Sequence, residues 1–341
     1  MTSPQLAREL EIVRMREMLG GYRITQMLYV AAKLGLPDLL AEGPKSAQEL
    51  AAAANAHGPS LFRLLRALAS TGVFAERSDG RFESTALSDR LRSDAPDSQR
   101  PFALSYGEPW WWSPFGELLH SVKTGETAFD RIYGTSMFEY LGRHPDAART
   151  FNENMTAATG GTGEAVASAY DFSRVKVLVD VGGGHGALAA EILRRNPELR
   201  AVIFDQQTVL EGAAPVLQER GVLARCVLAP GDFFESVPAG GDLYVLKYII
   251  HDWDDAKAAL ILRNVRRAMR PEARLLLVES IIVPGNEASR GKLVDLTMLV
   301  FTGGRERTEP EFAKLLQGAG LRLNRAIPLA GATSVLEALP I

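Results

Sequence analysis

The chain has 341 residues, 46% of them apolar and 23% charged, a size and balance that suit two ordinary globular domains. With 38 basic and 41 acidic side chains the net charge is −3, so no global basic field draws it to nucleic acid or an anionic membrane. One cysteine, Cys226, excludes an internal disulfide framework and a Cys-rich zinc site. Charges at Arg8, Glu9, Glu11, Arg14 and Arg16 argue against a signal peptide, and with no long uncharged apolar run the expected location is cytoplasmic.

Residues 5 to about 170 read as successive helices. Leu6, Leu10 and Val13, then Ile24, Met27, Leu28 and Ala31, fall at helical spacing, and Gly35 with Pro37 marks a stop. Ser46 followed by Glu49 is a capping-box start. Gly58-Pro59-Ser60 opens a helix with Leu61, Leu64, Leu65 and Leu68 on one face, and Asp79-Gly80 is a hairpin turn. Three helices and a small hairpin give a mainly helical, winged-helix-like domain, expected over residues 1–104. Between Gly58 and Arg100, seven arginines stand against six acids, too small an excess for gripping phosphates. A DNA-binding regulator is therefore the less favoured reading, and the apolar residues within 5–35 point to dimerisation.

From Val175 the pattern becomes alternating strand and helix. Residues 175–181, 200–205, 224–230, 242–249 and 273–280 are strand candidates separated by helical segments, and 321–329 with 333–340 form a terminal antiparallel pair. Such alternation implies a Rossmann-like, doubly wound α/β sheet, expected over residues 105–341.

The first of these strands runs through Asp180 into Gly182, Gly183, Gly184 and Gly186, a turn that lets the backbone approach a ligand. Read as Gly182-x-Gly184-x-x-Ala187, it also satisfies the relaxed dinucleotide fingerprint, with Asp205 placed for a ribose. Asp180, suited to a cationic amino group, favours adenosylmethionine instead, as does Asp232-Phe233, an acceptor and an apolar wall for adenine. The terminal antiparallel pair points the same way. Singly, Asp180 and Asp232 read equally well as turn caps.

LVDVGGGHG (178–186), GDFF (231–234), LKYIIHDWDD (246–255) and GGRERTEPEF (303–312) together resemble the plant-type small-molecule O-methyltransferase family and its bacterial natural-product branch. The resemblance implies a homodimer that moves a methyl group from S-adenosyl-L-methionine to a hydroxyl of a small aromatic or polyketide-like molecule, without a metal, leaving S-adenosyl-L-homocysteine. It assigns the cofactor to Gly182, Asp205, Asp232, Phe233, Lys247 and Thr159, to which the reading of the turn itself adds Gly184 and Asp180. It makes His251 the general base, flanked by Glu279 and Glu306. Met155 and Met298 match the family's paired methionines, and Asp252, Trp111 and Phe301 are further candidates for the acceptor pocket. The partner chain is implied as a further wall.

Two departures stand out. His185 replaces the family's usual threonine, and Phe301-Thr302 stands where plant members have Asn-Pro, which suits a bacterial pigment or polyketide better than a phenylpropanoid. A same-fold enzyme that methylates nitrogen or hydroxylates is the alternative.

Overall fold

The structure, a computed structural model, describes residues 4–329 and 333–341. The chain forms two compact units, one up to Trp112 and one from Ser113 to Ile341. No helix among the described residues is long and apolar enough to cross a membrane.

In the first unit, Pro4–Lys33 is one continuous helix, joining the two apolar stripes read from the sequence. Helices Leu36–Ala41, Ala47–Ala53 and Gly58–Ser70 follow, then an antiparallel hairpin of β1 (Phe74–Glu76) and β2 (Phe82–Ser84). Ser46 and Glu49 form the reciprocal capping box, at 3.2 and 2.7 Å. Leu61, Leu65 and Leu68 point into a core with Leu36, Leu50, Phe74 and Phe82.

The second unit is built on a seven-stranded sheet: β3 (Val177–Val181), β4 (Arg200–Asp205), β5 (Cys226–Pro230), β6 (Leu243–Lys247), β7 (Arg274–Ser280), β8 (Leu321–Pro328) and β9 (Thr333–Pro340). The order is β5-β4-β3-β6-β7-β9-β8, parallel through β7, with β9 antiparallel to both β7 and β8. Alternate residues feed opposite faces, as the two-residue strand repeat requires. Leu178, Leu243 and Val245 join a core with helix Ala187–Arg195 and the end of Pro145–Ala169. Val179, Tyr244 and Leu246 join one with Asp255–Ala268 and Glu309–Gly318. Because β3 is flanked by β4 and β6, the order reverses there, and a crevice opens beyond its carboxyl end.

The fourth candidate strand is shorter than its apolar run. It stops at Lys247 because Tyr248 takes a left-handed backbone, φ 54°, and Ile250–Asp252 becomes a 3-10 turn.

Candidate active site

The glycine turn leaves β3 with φ values of 68° at Gly182 and 56° at Gly184. A Cβ on Gly182 would lie 2.4 Å from Ile249 Cδ1 and 3.7 Å from the Phe233 ring, so the turn, the β6 loop and the β5 loop converge here. A Cβ on Gly184 would meet no protein atom within 4 Å. Asp205, at the end of β4, accepts hydrogen bonds from Gly184 N at 2.8 Å and Gln206 N at 2.7 Å, and burial raises its pKa. Asp180 is buried, its Oδ2 without a partner among the described residues. Burial pushes its pKa up to about 7, opposed by the Lys247 charge. Lys247, ending β6, is in turn lowered to about 8 by burial, against the pull of Asp180 and Glu279.

Asp232 is exposed and accepts from Phe234 N at 2.7 Å, while Phe233 is half-buried beside Phe234 and Trp253. Thr159 lies on helix Pro145–Ala169, its hydroxyl donating to Met155 O at 2.8 Å. His185 is held to the same helix, its Nδ1 3.2 Å from Thr156 Oγ1, and burial lowers its pKa. An orphaned buried carboxylate oxygen, a turn open beyond Gly184 and acids at the ends of β3 and β4 fit a ligand carrying an amino group and a ribose.

On the β6 side, His251 is buried in the 3-10 turn among three carboxylates. Its Nδ1 is 2.8 Å from Glu306 Oε1 and 3.9 Å from Glu279 Oε2, and its Nε2 is 3.6 Å from Asp252 Oδ1. The Tyr248 ring stacks on the imidazole, centroids 5.3 Å apart. Glu279, the penultimate residue of β7, also accepts from Ile249 N and Ile250 N, at 3.2 and 2.9 Å. Burial would lower the His251 pKa, but Asp252, Glu279 and Glu306 outweigh it and raise it to about 10. Burial lifts Glu279 to about 7 and Asp252 to about 6, the His251 charge opposing both. With a carboxylate on Nδ1, that nitrogen donates and Nε2 is left to face a reacting group. Ligand atoms of His251, Glu279 and Glu306 lie within 4.8 Å of one another, a spacing that a cation could also bridge.

The acceptor-pocket candidates are more scattered. Met155 and Met298 occupy helices Pro145–Ala169 and Arg290–Phe301. Phe301 is 1% exposed, its ring packed against Phe115 and Phe129 at 5.7 and 5.9 Å. Trp111 belongs to the first unit, where it stacks on Tyr106 at 5.2 Å.

Two contributors escaped the sequence reading. Asn264 donates to the carbonyls of Phe233 and Phe234, both at 2.8 Å, and so fixes the loop after β5. Its signal was present: a lone amide on the buried face of a helix, between Leu262 and Val265. Tyr248, whose hydroxyl is 2.6 Å from Thr333 Oγ1, gave none, because nothing in a tyrosine announces a left-handed backbone.

Comparison with known proteins gives the family. Residues 115–322 match the O-methyltransferase domain family and residues 16–94 the O-methyltransferase dimerisation domain. A phenazine O-methyltransferase of Lysobacter antibioticus is 48% identical, covering 95% of each chain. A mitomycin biosynthesis 6-O-methyltransferase of Streptomyces lavendulae is 42% identical, covering 94% of this chain and 92% of its own. An O-methyltransferase from neocarzinostatin biosynthesis, solved with S-adenosylmethionine and 2-hydroxy-5-methyl naphthoic acid, superposes with a TM-score of 0.80 at 33% identity, covering 93% of this chain and 96% of that one. The chain belongs to the O-methyltransferase family, in the company of bacterial natural-product enzymes.

Proposed function

We propose that the chain transfers a methyl group from S-adenosyl-L-methionine to a hydroxyl of a small aromatic or polyketide-like molecule, with His251 as the general base. The observation that carries this reading is the buried His251–Glu306 pair, 2.8 Å apart, at the carboxyl end of β6 beside the glycine turn of β3. Gly182, Gly184, Asp205, Asp232, Phe233, Lys247 and Thr159 would hold the cofactor, with Asp180 toward its amino group. The cofactor supplies an activated methyl group when bound, so the protein's task is alignment and removal of one proton. Glu306 fixes the imidazole tautomer, Nε2 takes the hydroxyl proton, and Glu279 stabilises the imidazolium that results. Met155, Met298, Phe301 and Asp252, all in the second unit, are the proposed acceptor contacts. A cytoplasmic setting belongs to the same reading.

The test is turnover on a panel of hydroxylated phenazines and naphthoates, read by mass, with S-adenosylhomocysteine binding followed by calorimetry. His251→Ala is expected to lower turnover by about 10²–10⁴-fold while leaving that binding intact. Undiminished turnover removes the base assignment. A chelator is expected to leave the wild-type rate unchanged, because an imidazole held by Glu306 suffices as the base and the methyl group is already activated on the cofactor.

A further inference from the structure

Arg307 has no exposed side-chain surface, yet it carries a full charge and uses its whole fork. Nη1 donates to Ile250 O at 3.1 Å and Arg305 O at 3.2 Å, and Nη2 to Trp253 O at 2.9 Å. Nε and Nη2 both reach Asp255 Oδ1, at 3.1 and 2.8 Å. The carbonyls of Ile250 and Trp253 bracket His251 and Asp252. The backbone of Arg307 also bridges Ile281, and its carbonyl accepts from Ile282 N at 3.1 Å, just beyond Glu279. Glu306, which takes the imidazole, is its neighbour in the chain.

Gly304 makes the same junction from the other side. A Cβ there would lie 2.0 Å from His251 O, 2.3 Å from Asp252 C and 2.6 Å from Trp253 N, all main-chain atoms that cannot swing aside. Glu306 N in turn donates to Asp295 Oδ1 at 2.8 Å, which ties the segment to helix Arg290–Phe301.

We propose that Arg307, seconded by Gly304, is a positioning residue that sets the distance between His251 and its two glutamates. One residue is tied to the chain at all three members of the cluster, through its side chain, its backbone and its peptide neighbour. The need for such a frame follows from tolerance: a misplacement of about 1 Å can cost about 10²-fold in rate. Lysine cannot replace the fork, since a single ammonium has no planar pair of donors to span two carbonyls and a carboxylate. The proposal rests on His251 as the base, and its test reads the imidazole directly without an acceptor.

The experiment is NMR of the full chain with ¹⁵N-labelled histidine and saturating S-adenosylhomocysteine, the His251 signal being identified by its loss in His251→Ala. The groups facing that imidazole are Asp252, Glu279, Glu306 and the Tyr248 ring. In Arg307→Lys the carboxylates loosen around it, and its titration midpoint is expected to fall by about one pH unit or more. Asp255→Ala removes an acceptor whose side chain is 60% exposed, so it alters the fork without opening the core, and a smaller fall in the same direction is expected. Calorimetric affinity for S-adenosylhomocysteine should stay within about threefold of wild type, or about 0.7 kcal/mol. A midpoint unchanged in folded Arg307→Lys overturns the proposal. Should that variant not fold, an unchanged midpoint in Asp255→Ala does so. Failure of His251→Ala to lose turnover would instead strike the base assignment, and with it the role given to the frame, whatever the midpoint.

Discussion

Asp180 sits at the end of β3 with one carboxylate oxygen unpartnered and its pKa pushed up to about 7 by burial. Its ionised form is therefore costly in the folded chain. The cost is absent below the ordinary value of 3.8, grows as pH rises and is complete above about 7. A structural aspartate would find its missing partner within the fold; one kept for a cationic ligand would not. Asp180→Asn is accordingly expected to stabilise the free protein by about 1–2 kcal/mol at pH 8, less than the full ionisation penalty because Lys247 loses its counter-charge. The same change should weaken S-adenosylhomocysteine binding by about tenfold or more, that is by about 1.4 kcal/mol. Thermal unfolding and calorimetry on one sample would decide it: unchanged affinity removes Asp180 from the cofactor set. His251 makes the complementary case. Raised to about 10 by its carboxylates, it carries a proton in the free enzyme at neutral pH, whereas a base must be neutral to work. The value of kcat/KM should therefore climb with pH from neutrality up to about 10. A flat profile across that window would show that the cluster releases its proton far more readily than its geometry implies.

At the level of elements, the turn after β3 separates two roles of glycine. Gly182 and Gly184 both have positive φ, so alanine strains either by about 1–2 kcal/mol. Only at Gly182 would the new methyl strike protein, the Ile249 side chain 2.4 Å away; at Gly184 it would point into open space. Gly182→Ala should thus lower the melting temperature further than Gly184→Ala, while Gly184→Ala should lose about tenfold in S-adenosylhomocysteine affinity because the methyl intrudes on the ligand's side. A Gly184→Ala protein that binds normally would mean that the cofactor does not approach the turn there. How much of this was readable follows the same division. β4 and β9 match their β-branched runs, and the Ser46 capping box lies where side-chain chemistry put it. Local signals suffice when a residue satisfies its own neighbours. The end of β6 was misread because a run of apolar residues carries no mark of the backbone inversion at Tyr248. Within the site, His251 and Glu306 lie in recognisable motifs and Glu279 follows only from the resemblance, and the structure brings the three within hydrogen-bonding or near-contact range. Arg307, next in the chain to one of them, has no role in the sequence reading. Only the fold shows that the charge is directed at carbonyls 57 and 54 residues away.

For the whole molecule, the first helix poses the largest unmet demand. Leu10, Val13, Met15, Met18, Leu19 and Tyr22 are 50–70% exposed along one continuous helix. They recur at both i, i+3 and i, i+4 around more than one side, a distribution that a solvated surface helix does not carry. Residues 16–94, which include Met18, Leu19 and Tyr22, match the dimerisation domain of the family, so a second copy of the chain is the expected occupant of this surface. Each such side chain contributes about 1 kcal/mol or more when its exposed part is buried, enough for several to hold a dimer at micromolar concentration. Met18→Glu combined with Leu19→Glu places two charges, each costly to bury without a partner, in that surface. Sedimentation velocity should then show a dimer for wild type and a monomer for the double variant, whose melting temperature should also cease to depend on protein concentration. If the double variant stays dimeric, the contact runs through other parts of the first unit, and the apolar helix requires a different cover. If it becomes monomeric yet keeps full turnover, the acceptor pocket closes without help from the partner chain, and the implied second wall is dispensable.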